Sequence, residues 1–253
     1  MSIHFFADTA VLTGRSLRHI TRSPDTIITT TVMPIAFLLL FVYVFGGAIN
    51  SGARSYVDYL LPGILLMTIA SGIAYTGFRL FLDVKSGIFE RFQSLPIARS
   101  SVLWAHVLTS LAANSVSIVV VVLVAFLMGF RSGAGVLAWV AVAGMLVLFT
   151  LALTWIAVIA GLSAKSPDGA GAFAYPILFL PFVSSAFVPT HTMPGPVRAF
   201  AEHQPVTSIV DSIRHLFAAQ SPGGEIWVAL AWCAGVLIVA NAVAMATYRR
   251  KIS

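Results

Sequence analysis

The chain has 253 residues, of which 58% are hydrophobic and only 9% charged, with a formal charge of +6. A soluble domain carries roughly 25% charged residues, so a core built against water is excluded. Nucleic acid is an equally poor partner for the positive charge, because the bases stand at the ends of apolar runs and form no groove with interleaved aromatics.

All Lys, Arg, Asp and Glu lie outside six uncharged stretches, 26–53, 59–78, 100–130, 132–164, 169–197 and 226–248. Each supplies the roughly 20 apolar residues that cross a bilayer as a helix. A charge near the bilayer centre costs about 3 kcal/mol even on lenient scales, so six clean stretches in succession point to a lipid solvent. Runs this uniformly apolar satisfy their backbone as helices, not as alternating barrel strands. The expected fold is an all-α polytopic membrane protein, a single membrane domain over 1–253 with six transmembrane helices.

In chain order, the first element is a leader over 1–25. At 100° per residue, Asp8, Arg15, Arg18, His19 and Arg22 share one arc, and Phe5, Phe6, Ala10, Leu12, Leu17 and Ile20 share the other, with Val11 the exception. A basic amphipathic helix of this kind lies in the headgroup plane, held there by anionic lipid or turned toward a cytoplasmic partner. No cleavable signal is expected, because the first apolar run is longer than a signal-peptide core.

Between the second and third stretches lies a loop over 79–101. Phe81, Val84, Ile88, Phe92 and Leu95 fall on one helical face and Asp83, Ser86, Glu90, Gln93 and Ser94 on the other, with Pro96 ending the element. In the third stretch, His106 sits about one turn in, placed to snorkel to the headgroups or to relay a proton. Ser110, Asn114 and Ser117 follow on the same helix. Like Tyr75, Thr76, Thr154, Ser184, Ser185 and Asn241, they are read as bridges between helices or as the lining of a path. The connection 189–225 opens with Pro189, Pro194 and Pro196, a composition that argues against helix. After Pro205, residues Val206, Ile209, Val210, Ile213, Leu216 and Phe217 recover helical spacing, with Ser208, Asp211, Ser212 and His215 expected to face away. Its length suits a re-entrant or capping helix. The single cysteine, Cys233, falls in the last stretch.

Six spans put both ends of the chain on one side, together with 79–99 and 163–168. That side carries eleven of the fifteen Lys and Arg and the other side four, so the positive-inside rule places both termini in the cytoplasm of the cell membrane. The phosphate-cradling Gly-rich loop with Lys-Ser/Thr is missing, and Gly161–Ser166 does not fit its spacing. Paired zinc histidines and a Gly-x-Ser-x-Gly elbow are missing too. No catalytic, cofactor or metal residue is expected in the chain, and any ATP must be bound by another subunit.

Phe78-Arg79, Asp83 and the run Glu90-Arg91-Phe92-Gln93-Ser94-Leu95-Pro96-Ile97 resemble the acidic-basic helix and Leu-Pro-Ile/Met run of the ABC type-2 transporter permeases, daunorubicin-resistance subgroup. His203-Gln204-Pro205-Val206-Thr207 with Asp211 and Arg214 is similar to that family's Asn-Pro-Leu-Thr segment, with Gln204 in place of Asn. The resemblance implies a non-catalytic permease that pairs with a second permease copy, as a homodimer or heterodimer. Two ATPase subunits then bind ATP and magnesium and drive export. It implies that Asp83, Lys85, Phe89, Glu90, Arg91, Phe92, Ser94 and Leu95 form the coupling helix on the ATPase, with Arg15, Arg18 and Arg22 on the leader interface. Tyr75, Thr76, Asn114, Ser184 and Ser185 become candidates for the path, and Pro205, Ile209, Ile213 and Phe217 for the outer gate. Uncharged spans suit a hydrophobic or amphiphilic cargo such as a drug, polyketide or lipid. The alternatives are a proton-coupled efflux protein, an intramembrane enzyme and a non-transporting assembly protein. None of the six stretches carries the buried acid that proton coupling uses.

Overall fold

In hydrocarbon each segment must close its own backbone hydrogen bonds, and in the computed structural model of the chain every regular element among the described residues is helical. The structure describes residues 13–14, 24–46, 55–87 and 101–252. Helix α1, Pro24–Leu40, starts on a proline, whose missing N–H would have no partner in a first turn. It passes into a π-helical turn at Phe41–Phe45. Its apolar part, Thr30–Phe45, is shorter than the other spans.

Helix α2, Tyr56–Lys85, is 30 residues long, about 45 Å. It overruns the expected 59–78 at both ends, because no helix breaker occurs between Phe78 and Lys85. It stops where Gly87 adopts a left-handed φ of 71°. The segment expected to leave the second span at 79 therefore leaves it only at Ser86. Helix α3, Ser101–Leu127, and α4, Val136–Ser163, follow the third and fourth stretches closely.

The fifth stretch departs from one continuous helix. It is built from α5, Pro167–Ala172, α6, Ala174–Phe179, and a 3-10 turn at Leu180–Val183. Pro176 and Pro181 each remove a backbone donor, so the ladder restarts at each short piece. Ser166 caps α5, its Oγ accepting from the Gly169 N–H at 3.1 Å. The Pro-rich start of the connection 189–225 is helical after all: α7 spans Gly195–His203, with Pro196 in its first turn, where proline is tolerated. Pro205 opens α8, Pro205–Phe217, in the same way. The last helix, α9, is Glu225–Ile252. Of these helices α2, α3, α4 and α9 are long and apolar enough to cross a membrane.

Helix α2 is the axis of the bundle, with 78% of its apolar window buried against 22% for α9. Leu60, Leu61, Ile64, Leu65 and Ile69 pack in one cluster with Phe149 of α4 and with Ile209 and Ile213 of α8. Outward, α3, α4 and α9 present Leu127, Leu137, Trp227 and Ile238, all largely exposed. Apolar faces of this extent suit lipid, not water.

The elements meet at two ends. At one, the Arg131 N–H donates to Asp58 Oδ1 at 3.1 Å and the Gly133 N–H donates to the Phe217 carbonyl at 3.0 Å. At the other, Leu80, Leu103, Leu162 and Tyr248 form a second buried cluster. Backbones there touch: a Cβ on Gly161 would stand 2.7 Å from the Gly77 carbonyl oxygen, and a Cβ on Gly77 would collide with the Ala170 carbonyl. From Ala170, the segment α5–α6 runs back along α2 until Ala186 packs on Gly63.

Candidate functional site

One face of α3 carries Ser110, Asn114 and Ser117 at the i, i+4, i+7 spacing of a single helical stripe, and the two serines bridge to neighbouring helices. Thr31 Oγ1 of α1 donates to Ser117 Oγ at 3.1 Å. Thr76 Oγ1 of α2 donates to Ser110 Oγ at 2.9 Å, and Thr154 of α4 lies 3.3 Å from the same hydroxyl. Asn114 Nδ2 donates to the Ser110 carbonyl at 2.9 Å, while its Oδ1 is buried without a partner. Helix-bridging hydrogen bonds of this kind contribute about 0.6–2 kcal/mol each in a membrane. Between α1, α2 and α3 they leave a cleft with about 30 Å³ of free volume, lined among others by Tyr75, Thr76, Arg79, His106 and Asn114.

At the end of the cleft nearest Lys85, His106 Nε2 stands 3.2 Å from Asp83 Oδ2. The histidine is thus partnered by the last turn of α2 instead of reaching out alone to headgroups.

At the opposite end of α2 the structure assembles a polar clamp. The Arg214 guanidinium of α8 lies over the Tyr59 ring, 3.8 Å from its centroid, and donates from Nη2 to the carbonyls of Tyr59 at 3.1 Å and Ser185 at 2.8 Å. It also pairs with Asp211. Asp211 Oδ1 accepts from Ser185 Oγ at 2.7 Å, and the Tyr59 hydroxyl donates to the Ser185 carbonyl at 2.7 Å. Tyr56 OH adds a bond to the Phe187 carbonyl at 3.0 Å. Charge-assisted bonds and a desolvated cation–π contact are each worth about 1–3 kcal/mol, so the clamp ties α2, the 184–187 turn and α8 into one unit. On the exposed α7, Arg198 Nε donates to Glu202 Oε1 at 2.7 Å, and this hydrogen bond holds the carboxyl below the usual carboxylate range.

The apolar face of α8 is inside, as the spacing predicted: Val206, Ile209, Val210, Ile213 and Phe217 are buried and Leu216 is partly so. The opposite face is not outside. Ser208 and Ser212 are buried too, and Ser212 has no exposed surface, because α8 is packed between α2, α4 and α9 and small hydroxyl side chains fit such close contacts. A carboxylate at either Ile213 or Ser212 is therefore expected to be damaging. Ile213→Asp should cost about 3 kcal/mol or more for an unpartnered buried charge, whereas Gln220→Asp, at an exposed position, should cost under about 0.5 kcal/mol. Thermal unfolding of the purified chain measures both.

Of the residues singled out in the sequence, Tyr75, Thr76 and Asn114 share the cleft. Ser184 and Ser185 do not join them. Ser184 Oγ donates to the Pro181 carbonyl at 2.6 Å, and Ser185 belongs to the clamp, where Arg214 also binds Tyr59, sixteen residues or about 24 Å along α2 from Tyr75. Pro205, Ile209, Ile213 and Phe217 all stand on α8. Asp83 and Lys85 occupy the last turn of α2. Phe89, Glu90, Arg91, Phe92, Ser94 and Leu95, and Arg15, Arg18 and Arg22 of the leader, lie outside the described residues. Sequence reasoning missed the place of Tyr59 in the clamp and of Arg79 on the cleft lining. Tyr59 pairs across 155 positions with Arg214, a separation no local spacing reveals, whereas Arg79 was marked by being one turn from Asp83.

The sequence pattern of the ABC-2 type transporter family matches residues 8–218. The chain belongs to this family. It is similar to the daunorubicin resistance ABC transporter permease protein DrrB1 of Streptomyces coeruleorubidus, at 30% identity over 229 residues covering 90% of this chain and 81% of that one. It is also similar to the probable doxorubicin resistance ABC transporter permease protein DrrC of Mycobacterium tuberculosis, at 27% identity over 255 residues, 97% and 90% of the two chains. The putative transport permease ycf38 of Porphyra purpurea matches at 24% identity over 227 residues, 86% and 76% of the two chains. The ABC-2 match takes in the cleft, the clamp and the segment 79–101 in one piece.

Proposed function

We propose that this ABC-2 permease is the non-catalytic membrane subunit of an exporter driven by ATP hydrolysis in a separate subunit. Six crossings place both termini and 86–100 in the cytoplasm, with 189–225 outside the cell membrane. Two permease copies, alike or different, pair with two ATPase subunits that hold ATP and magnesium. The family match over residues 8–218 carries this reading, and the drug-resistance names of two relatives support a hydrophobic or amphiphilic drug as cargo. Polyketides and lipids share the chemistry that uncharged spans accept.

The mechanical side of the proposal rests on α2. A single 30-residue helix carries the clamp at its first turn and Asp83 and Lys85 at its last, so displacement of its cytoplasmic end is transmitted to the outer elements by a stiff rod. The coupling segment, with Glu90 and Arg91 as the polar grip on the ATPase, follows directly. Ile209, Ile213 and Phe217 then close the outer gate, while Tyr75, Thr76 and Asn114 face the path once the cleft they line widens. The test is hydrolysis. With an ABC ATPase co-purified, cargo should stimulate the wild-type complex, and the double variant Glu90→Lys/Arg91→Glu should insert normally yet lose that stimulation. Normal stimulation in the variant would leave 86–100 without a coupling role.

A further inference from the structure

We propose that the cleft between α1, α2 and α3 binds the phosphate of an anionic phospholipid from the leaflet at the Lys85 end of α2, with Arg79 as its counter-charge and Thr109 as a neutral donor. Arg79 lines the cleft six residues, about 9 Å, from the end of α2. That depth is where a guanidinium reaches the headgroup layer. Asp83, one turn further on, is the carboxylate that helix spacing would offer it. It stands instead against His106, at 3.2 Å, and no ion pair to Arg79 occurs among the described residues. A cation half-buried at a bilayer boundary is costly until an anion joins it, and lipid phosphate is the anion abundant there. The planar guanidinium fork matches two phosphoryl oxygens.

A second observation points the same way. Thr109 Oγ1 is buried, with the residue only 6% exposed, and it lines the same cleft without a hydrogen-bond partner. Its spacing from His106 places it within one turn on α3, so a hydroxyl donor and a guanidinium converge on one space. The size of that space selects the occupant. About 30 Å³ admits oxygens and a water or so, whereas a drug-sized cargo fills roughly 300 Å³ or more. The buried Asn114 Oδ1, deeper in the cleft, accepts from that water. Exposed Tyr75, Val116 and Val119 give the acyl chains an apolar surface outside. The proposal adds a resident lipid to the export reading and holds for any cargo.

The experiment titrates the purified full-length chain in detergent with dioleoyl-phosphatidylglycerol, dioleoyl-phosphatidylcholine or inorganic phosphate. It reads the unfolding midpoint and the lipid retained in native mass spectrometry. Phosphatidylglycerol alone should be retained and should raise the midpoint. Its affinity should fall roughly tenfold in Arg79→Gln and measurably in Thr109→Val, the loss expected of one charge-assisted contact. Arg79→Lys should keep part of it, and Arg198→Gln on α7 all of it. Should Arg79→Gln not fold, Thr109→Val and Arg79→Lys carry the comparison. Equal retention of both lipids, unchanged affinity in Arg79→Gln or in the Thr109→Val and Arg79→Lys pair, or equal protection by inorganic phosphate would overturn the assignment.

Discussion

Replacing Arg214 by alanine should lower the stability of the chain by about 3 kcal/mol, the cost typical of stripping one partner from a largely buried pair. The deletion removes the donors to the Tyr59 and Ser185 carbonyls and the cation over the Tyr59 ring. It also leaves the Asp211 carboxylate, 27% exposed, without its cation. Arg214→Lys should recover the charge but not the fork that spans two carbonyls, and fall between. The informative comparison is Asp211→Asn with Arg214→Leu together. Removing both charges spares the stranded carboxylate, so the double variant should be more stable than Arg214→Ala. Thermal unfolding of the purified chain reads the series, and an unchanged midpoint in Arg214→Ala would reduce the clamp to a surface contact. If the clamp also holds the proposed outer gate shut, the same substitution should raise passive leakage through vesicles in parallel.

The second large effect is expected at Gly161. A Cβ there would stand 2.7 Å from the Gly77 carbonyl oxygen and 3.0 Å from Leu80 Cβ, and neither can yield without parting α2 from α4. Overpacking usually costs about 1–3 kcal/mol. Gly161→Leu should reach or pass the top of that range, because the obstruction is backbone and the second cluster, including Trp155 and Tyr248, is assembled around the same crossing. Gly144 lies on the same helix with nothing within 4 Å of its would-be Cβ. Gly144→Leu should therefore be neutral or gain up to about 1 kcal/mol from helix propensity. Similar midpoints for the two variants would mean that the close crossing of α2 and α4 does not hold the bundle together.

The contrast between charge-free runs and charged ends made α3, α4 and α9 legible within a few residues, since a hydrocarbon solvent leaves little freedom in where charges stand, whereas α2 runs on through Arg79 and Asp83 to Lys85. The apolar face of α8 was legible for a related reason: Val206, Ile209, Val210, Ile213 and Phe217 repeat at the helical period. Polarity misled on the other face. Ser208 and Ser212 look like solvent-facing residues in sequence, yet both are buried, because small side chains allow close helix contact and a hydroxyl can stay inside. Prolines misled twice, in opposite senses. Those at 176 and 181 divided a stretch that composition alone would draw as one span, whereas Pro196 opened a helix where breakage was expected. The clamp was beyond reach of any local pattern. Arg214 and Tyr59 meet only because the 170–186 segment and α8 are both laid against α2, and that is a property of the tertiary arrangement.

On the proposed function, ATP hydrolysed by a partner and coupled through the segment after Lys85 moves an apolar cargo across this chain's spans. Inside-out membrane vesicles containing the chain and its ABC ATPase partner, loaded externally with a hydrophobic fluorescent drug, test it directly. Accumulation should start with ATP, stop on its removal, persist when the proton gradient is collapsed, and be lost in Glu90→Lys/Arg91→Glu. Accumulation that follows the proton gradient and ignores ATP, or that survives the charge reversal unchanged, would contradict it.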